Sequence, residues 1–578
     1  MIGQNVTALP NNPTPKSGWG IVPVLTIAAL LGPVAAGLIG TIVPAFGGLR
    51  PGGGGAFSFQ PWQMVWETPG IGQSSWLSVK TGVLSTVGAI FVTFLLVAGW
   101  QGTRAFRAVE QALSPLLAVP HVTAALGLAF LIAPSGWAAR LVSPWATGWE
   151  RPPDSLVVQD LGGWSLIAGL IAKETPFLLL MTLAALPQVR PAERLQIALA
   201  AGYGRVTGWF FAVFPSVYAQ IRLPIYAVLA YGMSNVDMAL VLGPTTPAPL
   251  SVQILKWMSD PDLSLRAPAA AAALYQLGLV IMSLILWRAS EWLLAHLGRR
   301  LIWRGVRAAG PFDSAARAFG LALTLVMTVA VLGGLVSNLI WSFAGRWRFP
   351  ATLPETFKLR PWERSGMDVL DVAVTTLFLA FITGAIALIL VVGCLEAEHR
   401  RGRRLGVSGL VVLYLPLIMP QIAFLPGLQI LLLRAGVGQG WWPVMLAHLV
   451  FVLPYVYLSL AGHFHAWDTR YGTLATAMGA GPDRVLWRLR LPMLLRPVLT
   501  ALAVGMAVSV GQYLATLLAS GGRLSTLTTE ALAIASGGDR RVIGVWATAL
   551  TLASLAPFVV AVFLPRMRYR HRRGMLDG

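Results

Sequence analysis

The sequence specifies an all-α membrane protein of about twelve spanning helices in two homologous halves, and three observations carry that reading. Of 578 residues 56% are hydrophobic and only 11% charged, and the mean hydropathy is +0.69, where a soluble domain carries about a quarter charged residues. Apolar stretches near the ~20 residues that cross a bilayer as helix recur along the whole chain, leaving no large water-soluble domain and no long low-complexity tail. The runs are continuous, unlike the ~10-residue alternating segments of a barrel, and spanning backbone in hydrocarbon must be one or the other.

In order, the spans are expected near 20–43, 79–99, 112–134, 161–186, 218–242, 269–294, 318–342, 369–395, 408–433, 441–464, 494–518 and 542–565. The first follows a neutral, Pro-rich start with a single Lys16. It is too long for the apolar region of a cleaved signal and is kept as a membrane helix. With the amino terminus inside, the cytoplasmic segments hold most of the arginine clusters: Arg104 and Arg107; Arg299, Arg300, Arg304 and Arg307; Arg400, Arg401, Arg403 and Arg404; and the run from Arg566 to Arg573. The positive-inside rule favours that orientation, with both termini cytoplasmic and Gly53 outside. One outer segment, with Arg346, Arg348, Lys358, Arg360 and Arg364, runs against the bias, which longer loops obey less strictly.

The net charge of +20 does not call for nucleic acid, because the basic residues lie in short segments between spans, where they orient the chain and meet anionic lipid. One cysteine, Cys394, excludes an internal disulfide and any Cys-based metal cluster; it reads as a small core residue.

A repeat changes the meaning of every motif. "IALAAGYGRVTGWFFAVFP" (Ile197–Pro215) recurs 277 residues later as "LATAMGAGPDRVLWRLRLP" (Leu474–Pro492). Ala198, Ala200 and Gly202 match Ala475, Ala477 and Gly479, and the interval to Pro215 equals that to Pro492. "PHVTAALGL" at Pro120 resembles "PQIAFLPGL" at Pro420, "TPFLLLMTLAA" at Thr175 resembles "LPYVYLSLAG" at Leu453, and Gly232-Met233 echoes Gly505-Met506. The chain therefore divides into halves, 1–298 and 321–578, joined by a cytoplasmic linker at 299–320. Each half carries a polar bent segment, at 190–216 and 466–492, between its fourth and fifth spans. Small alanines allow close approach, glycine permits a sharp change of direction, and the proline starts the next span where a missing N–H is tolerated. Two equivalent segments in one compartment make a two-site docking surface.

These residues resemble the membrane subunits of binding-protein-dependent ABC importers, whose cytoplasmic loop reads E-A-A-x-x-x-G followed at a fixed interval by proline. The likeness is greatest to fused permeases related to thiamine and iron(III) importers. It implies a bacterial inner-membrane permease with no cofactor, two copies of a separate ABC ATPase docked on the loops, and a periplasmic binding protein delivering a small solute. Carried onto this chain, the docking residues are Gln196, Ala198, Gly202, Arg205 and Pro215, and Thr473, Ala475, Gly479, Arg484, Arg488 and Pro492. The family's glutamate falls on Gln196 and Thr473, and its next alanine on Ile197 and Leu474. Docking is thus expected to rest on shape and on the arginines rather than on that carboxylate.

A Walker A loop needs Gly-Lys-Ser/Thr to hold phosphates. The five lysines, Lys16, Lys80, Lys173, Lys256 and Lys358, follow Pro, Val, Ala, Leu and Phe. No nucleotide site exists in the chain, so ATP hydrolysis is expected in the partner. The alternative is a secondary transporter with internal repeats, but its ionisable in-span residues are sparse here. An intramembrane enzyme lacks its motif: no H-E-x-x-H occurs, and His463 and His465 point to different helix faces. A pure scaffold leaves two matched motifs unexplained.

Asn235 and Asp237 in the fifth span, with Gln512 and Tyr513 at matching depth in the eleventh, are candidates for lining the solute path; helix-to-helix hydrogen bonding is the alternative. Lys173-Glu174 reads as a local pair near the end of the fourth span, with a gate contact as the alternative, and His121 and Gln421 as corresponding positions with no ligand implied. Small organic cation, metal chelate and oxyanion all fit as solute.

Overall fold

The computed structural model describes residues 18–48, 57–305, 307 and 310–568. Lys16, Gly53 and the arginines beyond Arg568 lie outside them. Of the described residues 79% are helical, and none of them forms a strand.

The first series comprises α1 (Val22–Ala45), α2 (Gln60–Glu67), α3 (Ile71–Trp100), α4 (Arg104–Leu113), α5 (His121–Ile132), α6 (Trp137–Val142) and α7 (Trp164–Val189). It continues through α8 (Pro191–Ala200), α9 (Arg205–Ala212), α10 (Phe214–Ser234), α11 (Asp237–Leu242), α12 (Leu250–Ser259) and the long α13 (Arg266–Trp303). The second series opens with α14 (Pro311–Phe343), α15 (Arg360–Arg401), α16 (Val407–Ile418), α17 (Gln421–Arg434) and α18 (Trp441–Ala466). There follow α19 (Thr469–Ala477), α20 (Pro482–Val485), α21 (Leu491–Met493), α22 (Leu495–Val510), α23 (Leu514–Ser520), α24 (Leu527–Ala535) and α25 (Arg540–Arg568).

Among the described residues nine helices are long and apolar enough to cross a membrane, or twelve if each of three bent pairs is one span. The span expected at 408–433 turns by 83° between α16 and α17, where Pro420 removes a helical donor. The continuous helices expected at 218–242 and 494–518 are each broken: α10 stops at Ser234 and α22 at Val510. Non-helical backbone at such depth needs partners inside the protein. Asn235 Oδ1 accepts from the backbone N–H of Met238 (3.0 Å) and Ala239 (3.1 Å), and Ser251 donates to the Asn235 carbonyl (2.8 Å).

The second series uses the same fastening. Thr528 donates to the Val510 carbonyl as Ser251 does to that of Asn235. The first backbone N–H of each short helix after the break, Leu250 and Leu527, donates at 2.9 Å to a hydroxyl on the second long span, Ser78 of α3 and Thr376 of α15.

The first helix of each series crosses onto the other. α1 packs on α17 and α15, and α14 packs on α5, α3 and α25. Helices associate in lipid through close backbone approach at small residues. A β-carbon added at Gly40 would lie inside the Gly427 carbonyl, and one at Gly127 would come within 2.7 Å of the Gly334 carbonyl carbon. Gly127 and Gly427 each stand seven residues after the matched prolines, Pro120 and Pro420. One buried apolar cluster runs through both series, from Val34 and Val122 to Phe424 and Val510.

Candidate functional site

The two motif segments close with the same turn. Gly202 has φ +84° and Gly479 φ +85°. The N–H of Gly202 donates to Leu199 O (2.9 Å) and that of Tyr203 to Ala198 O (3.1 Å); in the second copy Gly479 donates to Thr476 O (2.9 Å) and Ala480 to Ala475 O (2.9 Å). This glycine-ended termination satisfies the last carbonyls of α8 and α19, and its left-handed residue costs a β-carbon-bearing side chain roughly 1–2 kcal/mol.

Ala198 is buried and Ala475 half-buried, so this one alanine of each copy faces the bundle. Ile197 (72% exposed), Leu474 (62%) and Met478 (78%) face outward, with Gln196, Thr473, Ala200 and Ala477 beside them. Apolar side chains presented this way on short helices, with exposed Arg484 and Arg488 behind the second, form a surface suited to a protein groove. Pro215 is exposed and Pro492 half-buried, each near the start of the following span.

Arg205 turns inward. Its Nε donates to Ala98 O (3.2 Å) and Nη2 to Gln101 O (2.7 Å), carbonyls at the end of α3. The second copy reaches the equivalent end of α15 through a residue outside the expected set, Arg490. Only 3% exposed, it donates to Glu396 Oε2 (2.6 Å), and its guanidinium lies 4.4 Å from the Trp467 ring. Glu396 also accepts from Arg400 Nε (2.7 Å), and Arg400 Nη2 reaches Asp483 Oδ1 (2.6 Å). Hydrogen bonds from Arg400 and from the Trp19 indole (3.0 Å) hold the Asp483 carboxyl below the usual carboxylate range. Thr473, at the position of the family's glutamate, lines a cleft of about 410 Å³ shared with Thr476, His399, Arg400 and Arg490.

Deeper in the bundle a polar seam joins the two series. Asn235 Nδ2 donates to Asp237 Oδ1 (2.7 Å), and Tyr231 OH donates to the same oxygen (3.2 Å). His121 Nε2 lies 3.3 Å from Glu174 Oε1, and its ring centroid is 4.9 Å from that of Tyr231. Tyr414 OH is 4.0 Å from Met181 Sδ, and Phe177 meets Tyr455 at 6.4 Å. Asn235 and Asp237 are thus joined by a hydrogen bond, and Gln512 and Tyr513 sit at the α22–α23 break.

The local Lys173–Glu174 pair does not form. Adjacent helical residues do not face each other, and Lys173 Nζ donates instead to the carbonyls of Leu116 (2.8 Å) and Leu117 (3.4 Å). Glu174 and His121 belong to the seam, a role hidden in sequence because their contact spans 53 residues. His465 contacts Glu398 (3.2 Å), and among the described residues no group of three His, Cys, Asp or Glu could hold a metal. Cys394 is buried, its Sγ 3.1 Å from Thr26 Oγ1.

A helical membrane bundle with paired motif segments at one end and a polar seam between two helix series is the architecture of a transport permease. Residues 385–569 match the family described as "Binding-protein-dependent transport system inner membrane component". The inner membrane ABC transporter permease protein YnjC of Escherichia coli K12 is 28% identical over 90% of this chain and 93% of its own length. The spermidine/putrescine permease protein PotC of Haemophilus influenzae is 25% identical over 34% of this chain and 77% of its own. The molybdenum permease protein ModB of Mycobacterium tuberculosis is 36% identical over 16% of this chain and 34% of its own. These similarities support the permease family of binding-protein-dependent ABC importers for the chain.

Proposed function

We propose that the chain is a fused permease: halves 1–298 and 321–578, joined through 299–320, enclose one solute path and present two docking segments, 190–216 and 466–492, to a pair of ABC ATPases in the cytoplasm. The matched turns at Gly202 and Gly479 carry the reading, since they set two outward apolar faces at one end of the bundle. Gln196, Ala198, Gly202, Pro215, Thr473, Ala475, Gly479, Arg484, Arg488 and Pro492 shape those surfaces, while Arg205 fixes the first segment to α3. A binding protein delivers solute at the opposite end, which faces the periplasm of a bacterial inner membrane.

The solute passes along the seam of Asn235, Asp237, Gln512 and Tyr513. Breaks in α10–α11 and α22–α23 give each half a place to flex at that depth, and closing and opening of the ATPase pair alternates access. Ionisable groups inside a bundle are expensive and mark pathways.

Two measurements test this. The purified chain hydrolyses no ATP, and vanadate-sensitive hydrolysis appears only with the partner; solute accumulation by the chain alone on an ion gradient would contradict the reading. In a Cys394→Ser background, Asn235→Cys reacts with a small water-soluble thiol reagent at a rate that changes when ATP and vanadate are added. A cysteine there that is unreactive in both states would remove the seam from the path.

A further inference from the structure

Each docking turn is followed four residues later, 202 to 206 and 479 to 483, by a position held from the other half. Val206 N–H donates to Asp313 Oδ1 at 2.7 Å, and Asp313, at the end of the linker, opens α14, the crossing helix that leads into the second half. Asp483 Oδ1 accepts from Trp19 Nε1 at 3.0 Å, and Trp19 lies immediately before α1, the crossing helix of the first. Duplication alone does not produce this correspondence. The residues at the two positions differ, and one contact is a backbone donor on a carboxylate while the other is an indole on a carboxylate. The same span of the docking half closes each site: Arg317 Nε donates to Gly99 O (3.2 Å) and Trp100 Nε1 to Arg317 O (2.9 Å), as Arg400 of α15 joins Asp483 and lies under the Trp19 ring at 5.5 Å.

We propose that Asp313 and Trp19 are positioning residues, each fixing the docking segment of the opposite half, so that the crossing helices act as struts from the ATPase surface to the solute path. The proposal rests on the docking reading above. The packed route is continuous on both sides. From Asp313, α14 runs to Gly334, which lies against Gly127 of α5, the helix that begins with the seam residue His121. From Trp19, α1 runs to Gly37 and Gly40, which lie against Phe424 and Gly427 of α17, and α17 packs on α23 beside the Gln512 break. A docking segment displaced by the ATPase pulls the other half's crossing helix with it, and each crossing helix moves the wall it packs on, α5 for the first segment and α17 for the second.

Hydrogen exchange on the complex with its ATPase, without nucleotide and with ATP plus vanadate, tests the struts. Asp313→Ala should raise exchange of 191–215 about tenfold, the effect of losing one hydrogen bond to a charged group, and abolish the vanadate response of 121–132, leaving 469–493 and 421–434 as in wild type. Asp483→Ala should do the mirror image, and Asp483→Glu, which keeps the carboxylate, should restore the wild-type pattern. Unchanged responses in 121–132 and 421–434, or both falling together in either single variant, would overturn the proposal. If wild type recovers no ATPase, the docking reading fails separately, and the nucleotide-free comparison on the chain alone still decides: exchange that does not rise locally beside each altered residue rejects the struts.

Discussion

Gly202 and Gly479 occupy a backbone conformation that any β-carbon strains, and around Gly479 no atom lies near enough to obstruct a side chain. Replacement there therefore acts through the backbone alone. Gly479→Ala should lower stability by about 1–2 kcal/mol, whereas Gly479→Asn, whose side chain tolerates the left-handed region, should melt nearer wild type; thermal denaturation in detergent ranks the three. Asp483 supplies a pH signature. Its folded-state carboxyl is held low by Arg400 and Trp19, so its contribution is present above the unfolded value and disappears as pH falls through the folded one. Exchange of 469–493, corrected for its intrinsic pH dependence, should be flat through neutrality and rise only below about pH 4; a rise near pH 6 would assign the contact to another group. At this scale the sequence was legible where spacing alone sets geometry, as with the two glycines. It was silent on Arg490 and Glu396, whose 2.6 Å contact spans 94 residues, and on the bonds of Arg205 to the Ala98 and Gln101 carbonyls, because no local pattern says whether an arginine faces solvent or a carbonyl.

At the scale of elements, each of the nine long apolar helices and three bent pairs among the described residues overlaps a run that hydropathy marks, because the bilayer requires a long apolar run of each span. Hydropathy missed the breaks at Asn235 and Gly511, because an interrupted helix stays apolar when its freed backbone groups bond to buried hydroxyls such as Ser251 and Thr528. It also missed the crossing of α1 and α14, which depends on which small residues meet in space. The crossing has a direct check. At Gly427 an added β-carbon would lie within contact of Gly37 and Thr41, so Gly427→Leu should separate α1 from α17 and raise hydrogen exchange in both helices, while Gly438→Leu, in open space in the loop after α17, should leave their protection unchanged. Equal protection of both variants would remove the crossing as a structural requirement.

For the whole molecule, the orientation proposed from arginine asymmetry sets which end meets the ATPase. Single cysteines at the exposed Ala200 and Met478, in a Cys394→Ser background, should be shielded from an impermeant thiol reagent added outside intact cells, whereas one at Ser155, in the exposed segment before α7, should label. The reverse pattern would invert the topology. The central claim is that two outward faces, one per half, dock two ATPases. Ile197 and Leu474 are equivalent positions on those faces, largely exposed and outside the glycine turns, so a charge there alters the surface and not the backbone. The direct measurement is the amount of ABC ATPase recovered with the tagged chain from detergent-solubilised membranes of its own host, for wild type and for Ile197→Asp with Leu474→Asp. The account predicts two ATPase copies per wild-type chain and at least a tenfold loss with the double variant at unchanged melting temperature. Full recovery of the ATPase by that variant would contradict it.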